Sequence, residues 1–311
     1  MFVNVSPENG GGDKSCEEEP TAVLRSFPKS YNCGGMRQMA RKIARTGKCA
    51  MCLLEKPLVL SHLIPQAVYD YCRKPGISPV RVGDGVIMHS DRQLKDHLLC
   101  SDCEDILNKG GESWVNPRLA TLEKTFPLYD LLMASHAAFS DDKGGIYYAA
   151  ANPEFSVEKI THFTLGIFWK AAVHSWSGSK NDPMIDLSKY ADTIRTWLQG
   201  ETAFPRDVTL VVTLLKPDTA FIVLQQPVET KANAWRTFLF YVPGVLFALH
   251  VGENVALEMR MLCFHQNSTH PVFVSDEVTA VYNARLGRDY VESRKTESYL
   301  RQRAKRQKRP E

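Results

Sequence analysis

Two C-x-x-C pairs constrain this 311-residue chain more than any other feature: Cys49-Ala50-Met51-Cys52 and Cys100-Ser101-Asp102-Cys103. The N-terminus, Met1 to Pro20, has no apolar core of the kind a secretory signal needs, and no apolar run reaches membrane-spanning length. The expectation is therefore a cytoplasmic protein with no membrane contact. In a reducing compartment, paired cysteines point to metal binding rather than disulfides. Four thiolates in two such knuckles suit tetrahedral Zn²⁺. A redox C-x-x-C needs one pair and a βαβ context, and neither fits. The other four cysteines (Cys16, Cys33, Cys72, Cys263) have no ligand spacing. The 47 residues between the pairs exceed the roughly 12–20 of compact fingers, so a structured insertion must separate the knuckles.

Length alone favours two domains. With 44% hydrophobic and 23% charged residues, the chain is too apolar for wholesale disorder. The expected organisation is a flexible or loosely docked arm (1–35), a zinc-stapled module (36–115), an α+β domain (116–293) and a basic tail (294–311). Arg37, Arg41 and Arg45 share one face of an expected helix over 36–48, either a solvated face or a phosphate-contacting one. The tail holds eight basic residues against Glu297 and Glu311, a charge of +6, so the total of +3 leaves −3 on residues 1–293. Such a tail suits polyanion contact or simple solubility.

Between the cysteine pairs, 58–64 reads as extended, 66–73 as a short helix and Gly83-Asp84-Gly85 as a turn, with a helix opening just after Ser101. Beyond the module, helices are expected over 118–139, interrupted near Pro127, and over 157–176 and 187–199. A short strand is expected over 145–150, and four more over 208–215, 220–224, 237–242 and 245–251, as an antiparallel meander. A long helix is expected from Asp276 onward. The aromatic run around Trp169 and Trp176, with His162 and His174, reads as helix core ahead of a base-stacking platform. His250, His265 and His270 show no ligand pattern. The sequence has no phosphate-binding G-x-x-x-x-G-K-[ST] loop and no G-x-S-x-G nucleophile motif.

The module's order is more specific. Cys49-x-x-Cys52 precedes Leu58-Val59-Leu60-Ser61-His62-Leu63-Ile64-Pro65, and Leu98-Leu99-Cys100-x-x-Cys103 opens a helix. This combination resembles the HNH (ββα-metal) endonuclease family, in the zinc-stapled C-x-x-C…C-x-x-C form found in bacterial proteins. The resemblance covers about residues 49–112. It implies a zinc-bound, treble-clef-like ββα-metal module ahead of the larger α+β domain. By resemblance, His62 is the general base that deprotonates a water, and one Mg²⁺ or Mn²⁺ steadies the leaving 3′ oxygen of a DNA phosphodiester. Histidine suits that task because its ordinary pKa lies near 6.5.

The family places Asp or His directly before the base, where this chain has Ser61. Asn108 matches the last metal-ligand position, and Glu104, one turn earlier on the same face, could supply the carboxylate that Ser61 does not. Ser101-x-x-Glu104 equally fits a helix capping box. Glu112 follows on that face, but Gly110-Gly111 is expected to end the helix before it. No asparagine stands where the family orients its base; Asp96 or His97 could substitute. Asp102 reads as a surface or capping residue. The expected partner is duplex DNA, with residues 116–293 available to a protein partner or a second copy. A bacterial defence effector restrained by its second domain fits this layout by analogy. The alternative is a non-catalytic zinc module that binds nucleic acid or protein.

Overall fold

The computed structural model describes residues 2–3, 45–72, 80–83, 86–89, 93–135, 137–176, 183–217, 224–230, 235–275 and 288. The arm beyond Phe2 and Val3, the basic stretch up to residue 44, the expected C-terminal helix and the basic tail lie outside the described residues, Arg288 excepted.

The first part of the chain builds two small antiparallel sheets. Strand β1 (Phe2–Val3) pairs with β4 (Val80–Gly83), and β4 pairs antiparallel with β5 (Val86–His89), Gly83 opposite Val86, while Asp84 and Gly85 of the expected turn lie outside the described residues. The second sheet holds β2 (Thr46–Lys48), β3 (Glu55–His62) and β6 (Lys95–Cys100), with β3 in the middle. The end of the expected basic helix is thus a strand, because Thr46–Lys48 finds a ladder partner in Glu55–Pro57. Helix α1 (Gln66–Tyr71) follows Pro65, which cannot continue a strand ladder. Helix α2 (Ser101–Leu107) leaves β6 directly.

The expected end of α2 at Gly110-Gly111 does not occur. The chain continues as a π-helical turn, Asn108–Glu112, into α3 (Ser113–Val115). Its glycines permit a close approach to another helix: a Cβ on Gly111 would stand 2.5 Å from the Lys159 carbonyl oxygen and the Phe163 nitrogen. The expected helix over 118–139 is also smaller. Only α4 (Pro127–Met133) is α-helical there, with proline at its start, and Ala137–Ser140 is strand β7.

The remaining strands form a seven-stranded sheet: β8 (Gly144–Tyr148), β9 (Val208–Leu214), β10 (Gln225–Thr230), β11 (Arg236–Val242), β12 (Val245–Val251) and β13 (Pro271–Ser275) join β7. The order is β10-β11-β12-β9-β13-β8-β7, antiparallel except for β13 beside β9. The expected meander is present only in β10-β11-β12; β9 lies beyond β12 instead of beside β10, and β13 is an added strand that its short apolar run did not announce. Residues 220–223 of the strand expected over 220–224 lie outside the described residues; the described strand that follows is β10.

Helix α5 (Val157–Val173) joins the two halves. Ser156 caps it by accepting from the Lys159 N–H. Almost every residue from Ile160 to Ala171 is buried, as a helix packed on several sides requires. Phe163 and Phe168 meet Phe247 and Phe240 of the large sheet, with ring centroids 6.2 and 4.8 Å apart. On another side, Gly166 lies against Leu107 of α2. Phe168 and Trp169 are fully buried, so the aromatic run is core. Helices α6 (Tyr190–Leu198) and α7 (Leu257–Met261) complete the described fold, a mixed α+β architecture with one continuous apolar core from Leu63 and Leu99 to Val274.

Candidate functional site

The two knuckles converge. The ligand atoms of Cys49, Cys52, Cys100 and Cys103 all lie within 4.8 Å of one another, and Cys52 and Cys100 sulfurs are 3.9 Å apart. Four thiolates at about 2.3 Å from a tetrahedral Zn²⁺ stand roughly 3.8 Å from each other, so the donor set and spacing fit that ion. The first knuckle is a tight turn in which Leu53 adopts φ 63° and donates its N–H to the Cys49 carbonyl at 2.9 Å. Burial pushes the Cys49 thiol up, but backbone N–H groups of Cys100, Cys52 and Met51 outweigh it and hold the group down at about 7. Burial, with the neighbouring sulfurs, pushes Cys103 the other way. Cys49 is thus the sulfur of the four whose surroundings most favour the thiolate that a metal requires. Asp102, on the surface, pairs with Lys56 at 2.9 Å.

The second focus lies where β3 ends. His62 pairs with Lys95 in the ladder, and Leu63 extends it by one bond to the Leu94 carbonyl at 3.0 Å. The His62 Nε2 lies 2.9 Å from the Gln93 Oε1. An amide oxygen only accepts, so Nε2 carries the hydrogen and Nδ1 keeps the lone pair. Burial holds the His62 pKa below its ordinary value; the Gln93 bond and the Glu104 charge oppose this, while Lys95 and Lys170 reinforce it. Burial thus favours the neutral ring, the form a base needs.

One residue earlier, fully buried Ser61 donates its hydroxyl to a Glu104 carboxylate oxygen at 2.7 Å. The capping-box alternative is not realised: α2 starts from Cys100 with no side-chain cap. Asn108 is exposed at the junction of α2 and the π turn, four residues after Glu104. Asp96 and His97 lie elsewhere. His97 Nδ1 meets the Leu58 carbonyl at 3.1 Å, and Asp96 accepts from the His97 N–H and meets His174 Nε2 at 3.0 Å. In the β3–β6 ladder Asp96 stands opposite Ser61 and His97 opposite Leu60, and His62 faces Lys95. Gln93, two residues before the strand, does the ring-holding expected of them.

Two further residues reach the site from a distance. Lys170 of α5, 1% exposed at its side chain, donates to the His62 carbonyl at 2.8 Å and pairs with Glu112 at 3.1 Å. A single lysine amid the apolar face of Phe168 and Trp169 was the available sequence signal. Glu112 is carried there by the π turn. Among the described residues, the four cysteines are the cluster of His, Cys, Asp and Glu side chains close enough to hold an ion together. No helix among the described residues is long and apolar enough to cross a membrane. Comparison with protein-family models, curated proteins and solved structures gives no match to this chain.

Proposed function

We propose that the chain is a metal-dependent HNH-type endonuclease that hydrolyses DNA phosphodiester bonds, with Zn²⁺ in a structural role. The observation that carries this reading is the His62 imidazole, held through Nε2 by Gln93 at the end of a strand whose neighbour runs directly into α2. In this reading His62 Nδ1 takes the proton of the attacking water. Glu104 and Asn108, one turn apart on α2, would hold Mg²⁺ or Mn²⁺, which neutralises charge on the leaving oxygen when bound. Ser61 does not replace the family's carboxylate as a ligand; it orients one from the helix. The zinc knuckles fix the strand–helix corner that sets His62 opposite α2. The basic tail supplies phosphate contacts that fade with salt.

The competing reading is a non-catalytic zinc module. It is favoured by the same Ser61 hydroxyl, which occupies one Glu104 oxygen. Incubating the full chain with supercoiled and linear DNA, over a titration of Mg²⁺ or Mn²⁺ and with zinc content counted, separates the two. Nicking that requires the added metal supports the nuclease. Salt-sensitive DNA binding without cleavage at any metal concentration overturns it in favour of the binding module.

A further inference from the structure

We propose that Lys170 and Glu112 form a buried positioning pair that fixes the His62 backbone, an inference that rests on His62 being the general base. Three elements meet at one ammonium. Lys170 comes from α5, Glu112 from the π turn after α2, and the His62 carbonyl from the end of β3. Lys170 Nζ thus spends one donor on the residue that carries the base and another on a carboxylate. Its side chain is 1% exposed and that of Glu112 is 16% exposed.

A lysine is costly to bury, and a leucine or methionine would fill the same place in an apolar helix without that cost. Its presence is explained by what it holds. The peptide between His62 and Leu63 is held on one edge by the Leu63 N–H bond to the Leu94 carbonyl, and Lys170 holds the other edge through the His62 carbonyl. The charge acts as well. The groups facing His62 are Gln93 before β6, Lys95 on β6, Glu104 on α2 and Lys170 on α5, and the two lysines disfavour the imidazolium. Lys95 exerts the larger of these two charge effects and is exposed; Lys170 adds to it from a buried position.

The Gly110-Gly111 step belongs to the same device. It lets the π turn press against α5 closely enough for Glu112 to reach Lys170, which a regular helix with side chains there would prevent. π-Turns of this kind recur at functional sites because they redirect side chains without ending a helix.

The test compares the wild-type chain with the Lys170→Met/Glu112→Gln double variant, which buries no charge and so avoids leaving Glu112 alone. His62 is titrated by NMR, its signal assigned with His62→Gln, and plasmid nicking is followed across pH. The expected results are an upward shift of the His62 pKa, a matching upward shift of the acid limb of nicking, and a roughly 10- to 100-fold slower reaction. In wild-type protein the Lys170 ammonium should also give a solvent-protected ¹⁵Nζ signal at pH 7, a measurement that needs no variant. A folded, zinc-loaded double variant with unchanged His62 titration and pH profile would overturn the inference, as would a missing ammonium signal. If wild-type protein does not cleave DNA, the nuclease reading fails while the His62 titration still decides what Lys170 does to the ring.

Discussion

The Ser61 hydroxyl donates to a Glu104 carboxylate oxygen at 2.7 Å, tying the residue before His62 to the first turn of α2. That bond points the carboxylate at the strand instead of back at its own helix N-terminus. Glu104→Gln keeps an acceptor for Ser61 but removes the charge. We expect zinc content to be unchanged, stability to stay within about 1 kcal/mol, and DNA cleavage to fall by roughly 10- to 100-fold. Ser61→Ala should cost about 1–2 kcal/mol in urea denaturation, since Glu104 is partly exposed and water can replace the donor. Normal cleavage by Glu104→Gln would reduce the glutamate to a structural role.

Zinc binding divides the cysteines. Elemental analysis should find one zinc per chain, lost in Cys49→Ser or Cys103→Ser together with much of the thermal stability. Cys72 and Cys263 are buried thiols that donate to the Val68 and Val208 carbonyls at 3.5 and 4.0 Å. Their serine variants should keep the full zinc content. Zinc loss from either of these two would show that the ion is held elsewhere.

The cysteine knuckles were legible in sequence because their chemistry is local: ligand spacing and turn geometry fall within four residues. The strand ending at His62 and the helix after Ser101 were legible for the same reason. Gln93 was not, because it meets His62 across 31 residues and from just before β6, where no strand pattern marks it. Lys170 was further out of reach, 108 residues from the carbonyl it holds. Glu112 was set aside because paired glycines usually end a helix; here their missing side chains let the chain pass close to α5 and continue.

Two glycines on this helix crossing should respond oppositely to alanine. At Gly111 a Cβ meets backbone atoms of α5 at 2.5 Å, so Gly111→Ala should destabilise by at least about 3 kcal/mol. At Gly166 the nearest atom is the end of the flexible Leu107 side chain at 3.3 Å. The helix propensity gained there, roughly 0.8–1 kcal/mol, should offset the crowding, leaving Gly166→Ala within about 1 kcal/mol of wild type. Equal effects in chemical denaturation would mean that the π turn does not pack against α5 in this way.

Acid should weaken the large sheet through His250. The Trp235 indole N–H and the Thr237 hydroxyl both meet its Nδ1, at 3.2 and 2.9 Å, so that atom must be an unprotonated acceptor. Burial lowers its pKa from 6.5 to about 4. Between those values the unfolded chain binds the proton more readily, so this contribution is complete above about pH 6.5 and disappears as pH falls toward 4. The full effect is about 3 kcal/mol. His250→Gln should flatten this part of the stability–pH curve; an unchanged slope would place the acid sensitivity in other groups.

The nuclease account turns on one side chain. Plasmid cleavage by wild-type protein and by His62→Ala, both carrying zinc and both supplied with Mg²⁺ or Mn²⁺, tests it most directly. The account predicts metal-dependent nicking by the wild type and a loss of at least roughly 100-fold in the variant, with zinc content unchanged. Cleavage by His62→Ala at the wild-type rate would contradict it.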